Sequence, residues 1–133
     1  MENQVLSIEQ MKHLVKLGAD TSKASMCWIK NSFDGEYNYI LTVHNEWCYE
    51  MSHSDPIPTF TLQNILELLP NIIANCYLCI YEAEYMSYER IDSDGDVCLL
   101  IEKKGETILD SAYQMLVWVV ENNHFKNNSH ERF

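Results

Sequence analysis

The chain is short of basic residues and of long apolar runs. Nine Lys and Arg stand against twenty Asp and Glu among 133 residues, a formal net charge of −11 at pH 7. A protein that binds DNA or RNA directly is usually basic, because the neutralisation of phosphates supplies most of its affinity. We therefore expect no direct nucleic-acid binding and no adsorption to an anionic membrane. The apolar runs are also too short for a membrane-spanning helix.

Glycine, proline and internal repeats are scarce as well. Four Gly and three Pro exclude collagen-like and linker-dominated chains, and the absence of a self-similar period argues against a solenoid. An apolar share of 47% with 22% charged residues is typical of a globular protein. We expect one compact domain over 1–125 and a polar, frayed tail over 126–133.

The number of cysteines and the N-terminal residues indicate a cellular compartment. Five Cys is an odd number, and they lack the dense spacing of a disulfide-stabilised secreted domain. The segment Met1–Gln4 has no basic residue, and no apolar stretch of signal-peptide length follows it. We expect a cytoplasmic protein with reduced thiols.

Hydrophobic periodicity predicts three helices. Each has a start or stop signal, namely a capping box, a glycine suited to the left-handed conformation, a proline or paired asparagines. The predicted helices and their signals are 7–17 with Ser7, Gln10 and Gly18, 61–69 with Thr61 and Pro70, and 108–121 with Asn122 and Asn123. A further helical turn is expected at Ile72 and Ile73.

Alternation of apolar and polar residues predicts a hairpin and a three-stranded meander. The hairpin turns at 31–35, and Asp92–Asp96 joins the last two strands, because Asp-Gly suits a turn with positive φ. Prolines predict an irregular connection over 45–60. The predicted strands are 24–29, 37–43, 77–81, 85–91 and 97–101. The order α-ββ-α-βββ-α favours an α+β fold, a mostly antiparallel sheet with helices packed on one face.

Two motif fragments match metal or redox sites only in part. Asp92, Asp94 and Asp96 have the spacing of a calcium loop, but the glycine and the bidentate acid of such a loop are missing. Cys76 and Cys79 form a C-x-x-C, but they precede a strand instead of a helix, and no second ligand pair for zinc exists. We expect a solvated turn, with a weak surface cation site as the alternative, and packed cysteines. No cofactor and no metal are predicted.

His44, Cys48 and His53 are close in sequence and carry the alternative hypothesis. Any two of them could coordinate a metal, and Cys48 could pair with a histidine as a nucleophile. Their spacing matches no standard site, and the chain has no Gly-rich phosphate loop, G-x-S-x-G or H-E-x-x-H. The sequence favours a non-catalytic protein, leaves a small enzyme or metal-dependent protein near these residues as the alternative, and names no catalytic residue. A subunit that mainly self-associates is a third hypothesis.

The negative charge is concentrated in the middle of the chain. Residues 31–96 hold twelve acidic residues and one base, Arg90, so all of the net charge comes from this segment. Aromatic residues beside acids are typical of a surface that binds a basic protein. We expect such a partner surface at Glu46, Trp47, Tyr49, Glu50, Glu82, Glu84 and Tyr85. Whether the acids share one face or are scattered over both sheet edges stays open at this point.

Three stretches, Leu6–Trp28, Asp55–Pro70 and Ser111–Asn122, carry a resemblance. They resemble small uncharacterised proteins encoded in gut Bacteroides-type genomes, often in prophage or other mobile elements. The resemblance implies a bacterial cytoplasmic setting and accessory work, and it carries over no activity and no site residue. The acidic, aromatic middle of the chain leads us to expect binding of a basic protein, of the inhibitor, immunity or mobile-element accessory type.

Overall fold

The structure, a computed structural model, describes residues 2–33, 36–82 and 84–124. Within them, helices and strands form an α+β fold with two antiparallel sheets. The elements are a 3-10 helix Glu2–Gln4, α1 Ile8–Lys16, β1 Met26–Phe33, β2 Glu36–Val43, α2 Glu46–Met51, β3 Ile57–Thr59, α3 Leu62–Leu68, β4 Ile72–Ile73, β5 Cys76–Tyr81, β6 Tyr85–Ile91, β7 Val97–Lys104 and α4 Ile108–Glu121. The predicted class and the order α-ββ-α-βββ-α are confirmed, and the short elements α2, β3 and β4 are additional.

The chain divides into two compact units, Met1–Asn64 and Ile65–Phe133. Each unit contains one of the two sheets and buried apolar residues of its own. That the two units form one compact domain over 1–125 stays a prediction.

The N-terminal sheet has the strand order β2-β1-β3, and both outer strands are antiparallel to β1. Trp28 of β1 lies opposite Leu41 of β2 and Ile57 of β3. Pro58 is compatible with β3 because an edge strand needs ladder hydrogen bonds on one side only. The predicted hairpin is confirmed for its two strands. The turn predicted over 31–35 is wrong for residues 31–33, because they continue β1, with Asn31 paired to Asn38 and Ser32 to Tyr37. Residues 34–35 lie outside the described residues.

Helix α1 begins at the predicted capping box. The Gln10 N–H donates to Ser7 Oγ at 3.1 Å, and the Ser7 N–H donates to Gln10 Oε1 at 2.9 Å. Gly18 follows the helix with a φ of 97°, in the left-handed region that glycine enters without strain. Both ends of the first helix are therefore confirmed, and each end has a local cause in the sequence.

One carbonyl group connects three segments of the N-terminal core. Trp28 Nε1–H and Thr59 Oγ1–H both donate to the Leu6 carbonyl oxygen, at 3.1 and 2.7 Å. The Leu6 N–H donates to the Phe60 carbonyl oxygen at 3.0 Å. All four residues are buried. Because a buried polar group is costly when it is unpaired, these bonds fix the chain before α1 against β1 and β3.

The C-terminal sheet has the strand order β4-β5-β6-β7, with every neighbouring pair antiparallel. Helix α4 packs against β6 and β7, and the ring centroids of Tyr88 and Trp118 are 6.4 Å apart. Thr107 caps the helix by accepting a hydrogen bond from the Asp110 N–H at 3.1 Å. The buried apolar stripe of α4 consists of Ala112, Met115, Leu116 and Val119.

The predicted Asp-Gly turn joins β6 to β7. Gly95 has a φ of 84°, and its N–H donates to the Asp92 carbonyl oxygen at 3.0 Å. The Asp92 carboxylate accepts hydrogen bonds from the N–H groups of Asp94 and Asp96 at 2.9 and 3.0 Å. Backbone hydrogen bonding, first of all from Asp96, lowers the pKa of Asp92. The Asp92 carboxylate thus stabilises the turn, and the predicted turn at Asp92–Asp96 is confirmed.

The helical turn predicted at Ile72 and Ile73 is wrong, because these residues form β4. Ala74 and Asn75 both have positive φ, 50° and 65°, and this two-residue loop lets Ile73 pair with Cys76. Loops with two positive φ values match the twist of hairpin strands. The sequence did not indicate this loop because alanine rarely adopts positive φ.

The connection predicted over 45–60 contains regular structure, namely α2 and β3. Its prolines exclude a helix around them but permit a short edge strand. Helix α2 has a single buried residue, Cys48. It therefore lacks the apolar periodicity from which a helix is predicted.

The last helix ends where the sequence predicts. Glu121 is its final residue, and Asn123 follows with a φ of 60°, a conformation that asparagine adopts more readily than most residues. The tail predicted over 126–133 lies outside the described residues. Among the helices within 2–33, 36–82 and 84–124, none is long and apolar enough to cross a membrane.

Candidate functional site

Helix α2 presents large side chains to solvent. Its N-cap Asn45 accepts a hydrogen bond from the Trp47 N–H at 2.9 Å, which begins the helix. Trp47, Tyr49 and Met51 are 66%, 56% and 47% exposed. Two acidic residues of the helix are exposed as well. The α2 surface is defined as the exposed side chains of Glu46, Trp47, Tyr49, Glu50 and Met51.

A buried side chain and several hydrogen bonds hold α2 and the residues that follow it against β1. Cys48 is buried beside Cys27 in an apolar cluster. The Lys30 N–H donates to Ser52 Oγ at 3.0 Å, and the Lys30 carbonyl oxygen accepts from the His53 N–H at 2.7 Å. The position of the α2 surface is therefore set by the central strand of the N-terminal sheet.

Cys27 and Cys48 form a pair of buried thiols in this cluster. The pKa of Cys27 is raised to about 12, chiefly by burial and then by its hydrogen bond with Cys48. The Cys48 Sγ–H donates to the Asn45 carbonyl oxygen at 2.9 Å. Since the thiolate is the reactive form of cysteine, Cys27 is a packing residue at neutral pH and not a nucleophile.

His44 is engaged by two partners other than Cys48. Its Nδ1 lies 2.8 Å from the Ala24 carbonyl oxygen, which can only accept, so Nδ1 carries a proton and donates. Its Nε2 lies 3.0 Å from the Tyr49 hydroxyl, and the two groups share a hydrogen bond. Desolvation raises the pKa of Tyr49, so the phenol keeps its proton at neutral pH. His44 thus positions Tyr49 of α2 and does not activate Cys48.

Each residue of the alternative hypothesis has a described contact of its own. His44 contacts Tyr49, Cys48 packs against Cys27, and His53 is an exposed residue whose backbone is bonded to β1. Within the part of the chain that the structure describes, no group of three or more His, Cys, Asp and Glu side chains is arranged to hold a metal ion. The described geometry therefore adds no support to a metal-dependent site here.

The other acidic and aromatic residues of the predicted partner surface lie at the turn between β5 and β6. Glu82 and Glu84 are exposed, and Tyr85 is half-buried. The Glu84 carbonyl oxygen accepts a hydrogen bond from Ser111 Oγ–H, which connects the turn to α4. The Tyr85 ring stacks on that of Tyr81 with centroids 4.6 Å apart. The turn thus presents two carboxylates beside a stacked aromatic pair.

The seven predicted partner residues belong to two different units. Helix α2 brings together Glu46, Trp47, Tyr49 and Glu50, and the β5–β6 turn brings together Glu82, Glu84 and Tyr85. The union of the two groups in one face stays a prediction.

An open cavity on the C-terminal sheet was missed by the sequence reasoning. Its volume is about 460 Å³, and its lining residues are Asn75, Tyr77, Cys79, Glu89, Arg90 and Ile91. It arises from the register of β5 and β6, in which Tyr77 lies opposite Glu89 and Cys79 lies opposite Ser87. The alternation of Tyr77, Cys79 and Tyr81 along β5 indicates that they share one face of the sheet. The register that sets Glu89 opposite Tyr77 cannot be predicted from either strand alone.

Glu89 is held as a fixed negative charge at this cavity. One carboxylate oxygen accepts a hydrogen bond from the Tyr81 hydroxyl, and the other accepts from the Ser87 hydroxyl at 2.9 Å. The hydrogen bond from Tyr81 is the largest cause that lowers the pKa of Glu89. A general acid or base works best with a pKa near the operating pH. The lowered pKa therefore suits Glu89 to binding and not to proton transfer at neutral pH.

Comparison with protein-family models, with curated proteins and with solved structures finds no match to this chain. The resemblance to proteins of Bacteroides-type genomes stays a prediction. The function is accordingly argued from the geometry and charge of the described residues.

Proposed function

We propose that the chain is a non-catalytic interaction protein that binds a basic protein partner through an acidic, aromatic surface centred on α2. The observation that carries the proposal is Trp47, which is 66% exposed on a helix anchored by another residue, Cys48. Tryptophan and tyrosine are among the residues that contribute most to binding free energy in protein interfaces. Their exposure on α2 favours a partner that covers them.

The charge of the surrounding sequence supports a basic partner. Between Lys30 and Arg90 the chain has no Lys or Arg, so neither residue type lies close to Glu46 and Glu50 along the chain. Complementary charge across an interface raises the association rate and selects among partners. The β5–β6 turn has the same combination of acids and aromatic rings, and we propose that it also binds a basic partner.

The proposed role is cytoplasmic and of the inhibitor, immunity or mobile-element accessory type. All five cysteines have free thiols, including the buried neighbours Cys27 and Cys48, and free thiols are typical of proteins in reducing compartments. Direct binding of nucleic acid is not part of the proposal, because a net charge of −11 opposes the approach of phosphates.

The test uses peptides as probes. A random peptide library displayed on phage is selected against the wild-type chain, and the enriched peptides are synthesised and measured by biolayer interferometry across ionic strength. We expect these peptides to be rich in Lys and Arg and to associate more slowly as salt is added. Trp47→Ala should weaken their binding at least about tenfold, which corresponds to the loss of ~1.4 kcal/mol expected of an interface hot spot.

A matched pair of variants separates the α2 surface from net charge. Glu46→Gln with Glu50→Gln removes two charges from α2, and Glu106→Gln with Glu121→Gln removes two from exposed positions of the C-terminal unit. The first variant should slow peptide association, and the second should leave the association rate nearly unchanged. Circular dichroism checks that each variant is folded. Equal binding by all variants including Trp47→Ala, or enrichment of neutral or acidic peptides, contradicts the proposal.

A further inference from the structure

Strand β7 is an edge of the C-terminal sheet. Among the strands within the described ranges it pairs with β6 and with no other. It is eight residues long, and its side chains Val97 and Leu99 are 61% and 53% exposed. The outer side of an edge strand presents backbone N–H and C=O groups that pair readily with another strand.

The usual protections of an edge strand are weak in β7. It has no proline, and its first five residues, Val97–Ile101, carry no charge. One bulge is present, because Tyr88 lies opposite Ile101 and Glu89 lies opposite Leu99, which leaves Leu100 as the extra residue. A bulge increases the local twist, but it leaves the rest of the edge open. The strand therefore has the features of a pairing site.

The two ends of β7 carry opposite charges. The turn before it holds three aspartates within Asp92–Asp96, and the strand ends in Glu102, Lys103 and Lys104, which together carry one positive charge. Because of the bulge, Leu99 and Leu100 lie on the same face of β7. When two such strands lie antiparallel about a two-fold axis between Leu99 and Leu100, Asp96 of each copy lies opposite Lys103 of the other. The same ion pair then forms on both sides of the axis, as a two-fold interface requires. A parallel arrangement would instead put like charges together.

We propose that β7 pairs antiparallel with β7 of a second copy of the chain, so that two C-terminal sheets join into one. In this register Leu99 of one copy lies opposite Leu100 of the other, and the Asp96–Lys103 pairs flank this apolar centre. Apolar and opposite-charge pairs across neighbouring strands both stabilise a sheet. A second copy is favoured over a foreign strand because the ends of β7 complement each other, although each chain carries a net charge of −11.

The molar mass in solution tests this pairing. Light scattering after size exclusion, over a range of concentrations, should give about twice the chain mass of 15.6 kDa for the wild type. Lys103→Glu with Lys104→Glu makes both ends of β7 acidic and should raise the dimer Kd at least about tenfold. Adding Asp94→Lys and Asp96→Lys to that variant exchanges the charges of the two ends and should restore the dimer.

Lys12→Glu with Lys16→Glu, at exposed positions of α1, makes the same change in net charge and is the matched control. It should leave the molar mass nearly unchanged. Leu100→Lys places two ammonium groups close to the axis, where they repel each other, and should also give a monomer. In the wild type, hydrogen exchange of β7 amides should slow as the concentration rises, a result that needs no variant.

Three results overturn the proposal. A wild-type chain that remains monomeric at every concentration shows that β7 does not pair with itself. A dimer that survives both Lys103→Glu with Lys104→Glu and Leu100→Lys, each shown by circular dichroism to be folded, uses another surface. Exchange of β7 amides that is independent of concentration in a wild-type dimer leads to the same conclusion.

Discussion

Removal of the Tyr88 hydroxyl is expected to destabilise the C-terminal unit at neutral pH. This hydroxyl donates to the Pro70 carbonyl oxygen at 2.7 Å, and both residues are buried. In Tyr88→Phe the ring stays in place, but the carbonyl loses its donor where water does not reach it. A buried polar group left without a partner costs roughly 1–3 kcal/mol. We expect the free energy of unfolding to fall by that amount.

The same hydroxyl makes stability depend on pH. Burial raises the pKa of Tyr88 above its ordinary value, so the unfolded chain loses this proton near pH ~10 while the folded chain keeps it. Its contribution to stability is therefore complete below pH ~10 and is lost as the pH rises further, by up to about 1.4 kcal/mol per pH unit. Tyr88→Phe lacks this group. The difference in unfolding free energy between wild type and variant should shrink from about pH 9 to about pH 11.

Urea unfolding at several pH values, followed by fluorescence and circular dichroism, measures both effects. Trp118 lies beside Tyr88 and reports on the C-terminal unit. Tyr77→Phe is the matched control, because Tyr77 is 59% exposed, and it should change the unfolding free energy by less than about 0.5 kcal/mol. A loss below that limit in Tyr88→Phe, or a difference that stays constant between the two pH values, refutes the reasoning.

Three other substitutions test local structure. The Asn64 amide oxygen accepts from the N–H groups of Ser25 and Thr61, both at 3.0 Å, so Asn64→Ala should cost roughly 1–3 kcal/mol by urea unfolding, and an unchanged midpoint would contradict it. Thr107→Ala removes the cap of α4 and should cost about 1 kcal/mol, whereas Thr107→Ser should retain most of it. Because the pKa of Cys27 is raised to about 12, its stabilisation is lost as the pH rises from ~9 towards ~12, and Cys27→Ala should show a shallower alkaline loss of stability than the wild type.

Elements with a local cause could be predicted from the sequence. The capping box at Ser7 and Gln10, the left-handed Gly18 and the turn at Gly95 each depend on residues that are neighbours along the chain. Hydrophobic periodicity indicated α1, α3 and α4 for the same reason, since one face of each helix is read within a few turns.

Pairings between distant segments could not be predicted in this way. Strand β3 joins β1 across an intervening strand and helix, and its Pro58 argued against any strand. The cavity at Glu89 depends on the register that sets it opposite Tyr77. A shift of one residue in that register would send the side chains to the other face. Neither strand contains this information by itself.

The features that prevented the prediction of α2 from the sequence also favour this helix as a binding surface. A helix that packs into a core is predictable because its apolar residues recur at helical spacing. In α2 only Cys48 is buried, while Trp47, Tyr49 and Met51 are largely exposed, so no such spacing exists. Folding of the chain gains little from large side chains that it leaves in water. Binding of a partner that covers these side chains would explain why they are present on α2. Complementary charge at Glu46 and Glu50 would direct that partner to this helix.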